Sequence, residues 1–234
     1  MFMTNVEAII FDLDETLSDR RTAIDRFMEL WIAQYFSDRL HEASYLRDVF
    51  RRLDDNGYRV REELYPLLVE ELEWNSPPSK EQFIAFWREH FPKCIEPMAH
   101  LYEMLDYLKH RGVKLGLITN GPEHIQRRKI DSLGIGDYFH SLLISGTVGI
   151  HKPDARIFLQ CTSELQVAPE RAWYVGDHPV NDVAGSRGAG LVPVWLARQG
   201  DWSEDQHGDS PAHTVQTLQE LIALYDRLHP HDAY

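Results

Sequence analysis

The sequence predicts an α/β fold: a parallel sheet flanked by helices, with an all-helical domain inserted into it. Three observations carry that prediction. Short apolar runs recur between turn residues, helical periodicity fills most of the gaps between them, and one long stretch near the start contains no strand. At 234 residues the chain is long enough for a large core domain with a smaller insert.

The first run, Val6 to Leu13, reads as a buried strand closing in Asp12-Leu13-Asp14-Glu15-Thr16-Leu17. Further buried strands fit Val113 to Thr119, Ser141 to Ser145, Ala172 to Val175 and Leu191 to Leu196. Glu96 to His110 carries apolar residues at Met98, Leu101, Leu105 and Leu108, a helical spacing, and Gly112 follows as a stop signal. Pro122 suits a first helical position, with that helix ending near Gly134. Helices also fit Asp154 to Leu165, Val180 to Arg187 and Thr217 to Leu228, whereas the polar segment Gln199 to Pro211 reads as a surface loop.

Between Asp19 and Cys94, helical patterns over Ile24 to Tyr35, Tyr45 to Leu53, Glu62 to Trp74 and Gln82 to Phe91 follow one another, and Ser79 with Gln82 makes a capping box. The aromatic residues Phe27, Trp31, Tyr35, Phe83, Phe86 and Trp87 recur at spacings near three and four, as in a helical core. The expected division is therefore a core of residues 1–18 and 95–234 and a helical domain of residues 19–94.

A formal net charge of −13 argues against a nucleic-acid polymer or an anionic membrane as partner, because both select cationic surfaces. No apolar stretch approaches the ~20 residues of a membrane span, and Met1 to Asn5 has no cationic start leading into an apolar run, so the expected location is cytoplasmic. Cys94 and Cys161, far apart in sequence, suit reduced thiols.

The chemistry concentrates at strand ends. Asp12 and Asp14 are two apart, so an extended strand would point both to one side, where metal coordination, a shared proton or splaying of the chain relieves their repulsion. Thr119-Asn120-Gly121 offers a hydroxyl, an amide and a flexible backbone before a helix, groups that bind an anion but also form ordinary turns. Lys152, just before Pro153 at an expected helix start, adds a point positive charge. In Gly176-Asp177-His178-Pro179-Val180-Asn181-Asp182, the acids either complete an oxygen-rich Mg²⁺ site with Asp12 and the backbone carbonyl of Asp14, or cap a helix. His151 and His178 flank these groups without being assigned a role.

This ordered set, Asp12-Leu13-Asp14-Glu15-Thr16, then Thr119, then Lys152, then Gly176-Asp177 with Asp182, resembles the four motifs of the haloacid dehalogenase-like hydrolase superfamily. The resemblance implies a Rossmann-like core with a helical cap inserted after the first motif and Mg²⁺-dependent phosphoryl transfer through an aspartyl-phosphate. It implies Asp12 as nucleophile and Asp14 as general acid and base. Thr119, Asn120 and Lys152 would bind the phosphoryl group, and Asp12, Asp14, Asp177 and Asp182 would serve the metal. The expected substrate is a small phosphorylated metabolite, a nucleoside monophosphate or a sugar phosphate, with specificity set by the cap and the segment Ser18, Asp19, Arg20, Arg21. A dehalogenase needs no acid at Asp14, and sugar-phosphate mutases usually carry glycine where Glu15 stands. A binding protein would not need the full acid set.

Overall fold

The computed structural model describes residues 6–57, 59–198 and 201–230. Met1 to Asn5, used above in the expectation about location, and Gln199 at the start of the expected loop lie outside the described residues. The chain divides into two compact units, one of Met1–Asp19 with Pro97–Tyr234, the other of Arg20–Glu96.

In the first unit, strands β1 (Ala8–Phe11), β2 (Lys114–Thr119), β3 (Ser141–Ile144), β4 (Ala172–Gly176), β5 (Val192–Leu196) and β6 (His213–Val215) form one sheet in the order β3-β2-β1-β4-β5-β6. Every pairing is parallel. Parallel strands covered on both faces lose the polar alternation of exposed sheets, which is why β1 reads Ala-Ile-Ile-Phe with every residue buried. Ala8, Ile10, Ile118, Cys161, Phe158 and Tyr174 share one apolar cluster, placing the Ala155–Leu165 helix against that face of the sheet.

β1 is shorter than expected. It stops at Phe11 because the chain turns at once: Leu17 and Ser18 both donate to the Leu13 carbonyl, Glu15 donates to Ser18, and Glu15 adopts a left-handed φ of 61°. Asp12 and Asp14 thus lie beyond the strand, and the same-side argument does not apply. Other boundaries move for local reasons. The helix after the insert is Leu101–His110, and the segment from Pro97 is tied instead to the turn, with Met98 donating to Leu17. Pro122 caps rather than starts the helix Glu123–Leu133. Pro153 follows a cis bond and precedes the helix, whose N-cap is Asp154. Val180 to Arg187 resolves into a π-helical turn, Pro179–Ala184, and the short helix Gly185–Gly188. The expected loop contains a helical turn, Glu204–His207, and is followed by β6, too short at three residues to register as a period in the sequence.

The second unit is wholly helical: α1 (Arg20–Tyr35), α2 (Ala43–Asp54), α3 (Arg61–Glu71) and α4 (Lys80–His90), with short 3₁₀ turns. Ser79 and Gln82 close the capping box at the start of α4. Phe27, Trp31, Phe36, Phe50 and Phe83 are fully buried, and Tyr35, Phe86 and Trp87 pack against them. Phe27 meets Trp87 edge-on at 4.6 Å, within the range where aromatic pairs add to area burial. A charged cluster is buried with them. Asp54 forms ion pairs with Arg20 at 2.8 Å and with Arg61 at 2.5 Å, while Arg61 lies 4.1 Å over the Trp87 ring and Arg20 lies 5.7 Å from Phe91. Arg20 is thus committed to its own unit, not held out as a surface cation. Among the described residues no helix is long and apolar enough to cross a membrane.

Candidate active site

With β1 between β2 and β4, the connections leaving β1 and β4 diverge, and the crevice at such a reversal is where open α/β sheets bind ligands. Register fixes the floor: Phe11 pairs with Leu117 and with Val175, so Asp12 comes level with the ends of both neighbours. Its amide donates to the Val175 carbonyl at 2.9 Å.

Lys152 sits at the centre, 5 % exposed. Its Nζ lies 2.6 Å from Asp12 Oδ1, 2.7 Å from Asp182 Oδ1 and 2.9 Å from the Tyr174 hydroxyl, so all three ammonium hydrogens have acceptors. Burial opposes its charge, but Asp12 and then Asp182 outweigh burial and hold the ammonium well above its ordinary pKa. The lysine is delivered by Asn120, whose side chain donates to the Lys152 carbonyl and accepts from the Lys152 amide, both at 3.0 Å. The side-chain amide of Asn120, expected from the sequence to meet a phosphoryl group, is thus engaged with the lysine loop.

The acids outnumber that cation. Asp12, Asp177 and Asp182 each present an oxygen within 4.8 Å of the others. Burial, offset in part by Lys152 and reinforced by Asp182, pushes the Asp12 carboxyl up to about 7. Burial and then the Asp182 and Asp12 charges hold Asp177 well above the carboxylate range. A compact set of carboxylate oxygens with excess negative charge fits a hard divalent cation such as Mg²⁺. Within the set, Asp182 is the most engaged: Oδ1 accepts Lys152 and Oδ2 accepts the His178 amide at 2.9 Å. A Cβ at Gly176 would fall 2.4 Å from that carboxylate, so only glycine lets Asp182 lie across the end of β4. The helix-cap alternative does not hold for either acid, because His178 Nδ1 takes the cap bonds from Val180 and Asn181. Asp177 is held through its backbone, its carbonyl accepting Trp195 Nε1 at 2.8 Å.

Asp14 is not among those oxygens. Lys129 Nζ lies 2.7 Å from its Oδ1 and 2.6 Å from its Oδ2, and Gln126 Nε2 donates to Oδ2 at 3.0 Å and also to the Thr119 hydroxyl. The repulsion expected between the two acids is thus relieved by splaying, each carboxylate having its own lysine. Thr119 stands at the end of β2, almost fully buried. Sequence reasoning missed Gln126, Lys129 and Tyr174. A signal existed for the first two: on Glu123–Leu133 they share the buried face with Ile130 and Leu133, where a helix of this type carries apolar residues. Arg198, also missed, pairs with Glu15 at 3.6 Å and Asp19 at 3.3 Å, bracketing the turn that carries Asp14.

A family model described as haloacid dehalogenase-like hydrolase matches residues 9–196. The chain is 38 % identical over 162 residues to a phosphoserine phosphatase of Thermus thermophilus, covering 69 % of this chain and 64 % of that one. It is 29 % identical to a glyceraldehyde 3-phosphate phosphatase of Methanopyrus kandleri, covering 95 % of this chain and 98 % of the relative. Among solved structures, a HAD-hydrolase of Bacillus subtilis bound to magnesium superposes with a TM-score of 0.75 at 19 % identity, covering 95 % of this chain and 99 % of that one.

Proposed function

The chain belongs to the haloacid dehalogenase-like hydrolase family, and we propose that it is a Mg²⁺-dependent phosphatase of small phosphorylated metabolites working through an aspartyl-phosphate. The observation that carries this reading is one buried lysine shared by Asp12 and Asp182 with Asp177 close by, a cluster short of positive charge. Asp12, Asp177 and the backbone carbonyl of Asp14 would hold Mg²⁺, with Asp182 beside them. When bound, the ion screens the phosphoryl group from the carboxylates.

Lys152 holds Oδ1 of Asp12 and so orients Oδ2 toward phosphorus. As the new O–P bond forms, the ester P–O bond breaks, and Asp14 gives its proton to the departing alcohol oxygen. Water then attacks the phosphorus, Asp14 takes a water proton, and the Asp12 O–P bond breaks to release phosphate. Thr119 binds a phosphoryl oxygen, and Lys152, whose hydrogens go to Asp12, Asp182 and Tyr174, faces the phosphoryl group with its positive charge. The helical unit, which contains none of the motif residues, acts as a cap that selects the remainder of the substrate. Both curated relatives act on small phosphate esters, which supports the same substrate class here. The buried free thiols Cys94 and Cys161 suit a cytoplasmic location.

The test is release of phosphate from p-nitrophenyl phosphate with Mg²⁺ and with excess chelator. Activity should stop in chelator and return with Mg²⁺, and Asp12→Asn should lower kcat by about 10³-fold or more in a folded protein. Undiminished turnover in chelator, or in Asp12→Asn, overturns the reading.

A further inference from the structure

We propose that Gln126 and Lys129 are positioning residues that hold Asp14 and couple its placement to the Thr119 hydroxyl. The inference rests on the acid and base role given to Asp14 above. Both side chains rise from one face of the Glu123–Leu133 helix, three positions apart, and both are buried. Lys129 donates to both oxygens of Asp14 at 2.7 and 2.6 Å, which fixes the plane of the carboxyl group as well as its position. A surface ion pair in water would hold neither, because competing solvent and side-chain entropy loosen it. Here the lysine side chain is 10 % exposed.

Gln126 adds the coupling. Its amide has two hydrogens; Asp14 Oδ2 accepts one and the Thr119 hydroxyl the other. A hydroxyl that accepts from Gln126 keeps its own hydrogen for donation, so the same amide that steadies Asp14 turns Thr119 into a donor toward the phosphoryl oxygens. A phosphate bound at Thr119 and a proton carrier set for the leaving oxygen become one arrangement. If Lys129 were merely a strut for its helix, Gln126 would have no reason to join two groups on different strand ends.

The test uses the full-length protein and a series of aryl phosphates whose leaving phenols grow steadily less acidic, from nitrophenyl to phenyl phosphate. Poor leaving groups depend most on the acid, so the readout is the slope of log kcat/KM against leaving-group pKa. Asp14→Asn should steepen that slope. Lys129→Met and Gln126→Met should steepen it in the same direction, with losses of about 10- to 100-fold on phenyl phosphate and about 5-fold or less on nitrophenyl phosphate. Lys129→Arg, which retains paired donors, should recover most of the loss. Gln126→Met should also weaken inhibition by inorganic phosphate. Because Gln126→Met removes no charge, it carries the slope test even if Lys129→Met fails to fold. A uniform loss across the series in both variants, with the slope steepened only in Asp14→Asn, overturns this inference and leaves the proposed function standing. An unchanged slope in Asp14→Asn removes the acid role and the inference with it.

Discussion

Each unit buries a cluster in which several charges share one centre, and these two clusters balance in opposite ways. In the helical unit two guanidinium groups, Arg20 and Arg61, face the single carboxylate of Asp54, and the surplus positive charge rests on aromatic faces, those of Trp87 and Phe91. In the sheet unit Lys152 faces Asp12 and Asp182, with Asp177 close by, and no cation-accepting ring can offset surplus negative charge. A cation–π contact is worth ~0.5–2 kcal/mol, so an excess of cations can be resolved within the fold. An excess of buried anions is resolved by binding something positive. The first cluster balances its surplus charge within the fold, whereas the second, under the function proposed above, would do so by taking up a cation.

The comparison is most exposed to failure where each cluster loses its centre. Lys152→Met strands Asp12 and Asp182, and Asp54→Ala strands two arginines; each should cost about 3–5 kcal/mol in the unit concerned. The difference lies in rescue. Thermal unfolding with chelator and with Mg²⁺ should show the ion recovering part of the loss in Lys152→Met and none in Asp54→Ala. Equal recovery would mean the two clusters are not different in kind.

Next in size is Asp177→Asn, which removes a carboxyl that burial and the Asp182 and Asp12 charges hold well above its ordinary pKa. It should stabilise the metal-free protein by about 1–2 kcal/mol, since burial of like charges is relieved, and raise the Mg²⁺ needed for half-maximal activity about tenfold or more. Removing an acid from the helical cluster would have the opposite sign.

The pH response sharpens the same contrast. Burial lifts Asp12 to about 7 in the folded, metal-free protein, above the ~3.9 of an unfolded chain. Between those values the folded state binds the extra proton, so the Asp12 contribution to stability is present below pH ~4 and is lost as pH rises through about 7. Denaturant unfolding in chelator should therefore show wild-type stability falling relative to Asp12→Asn across that window. A parallel pair of curves would show that Asp12 is not the strained acid. The smallest effect belongs to Arg61→Lys, which keeps the charge but loses the planar contact on Trp87; about 1 kcal/mol of stability should go, read from urea unfolding, with aryl phosphate turnover unchanged.

Much of the sheet unit was legible because its strands are buried on both faces and its candidate site residues fall at strand ends or in the segments that follow: Asp12, Thr119 and Asp177 at or beside a strand end, Lys152 and Asp182 farther along the segments after β3 and β4. What was not legible depended on conformation. The turn that follows Asp14 carries a left-handed residue at Glu15, a residue type that gives no warning of it. Gln126 and Lys129 are common helix residues whose meaning appears only when their face is turned inward. Asn120 was legible as polar and well placed, but its partner is the backbone of a residue on another loop. The Arg20–Asp54–Arg61 cluster joins three helices, and no local pattern announces it.

The Asn120 contact has a further consequence, for chain entropy. Its amide meets the Lys152 peptide much as one strand meets the next, so the pairing of β2 with β3, which ends at Thr119 and Ile144, gains one more rung made from a side chain. The segment from Ile144 to Lys152 is thereby closed at both ends, and a closed segment has far fewer conformations to lose when its lysine is called into place. Without that closure the Lys152 backbone would keep more of this freedom. Here the segment gives it up on folding, so under the proposed function each turnover would begin with the Lys152 backbone already in place.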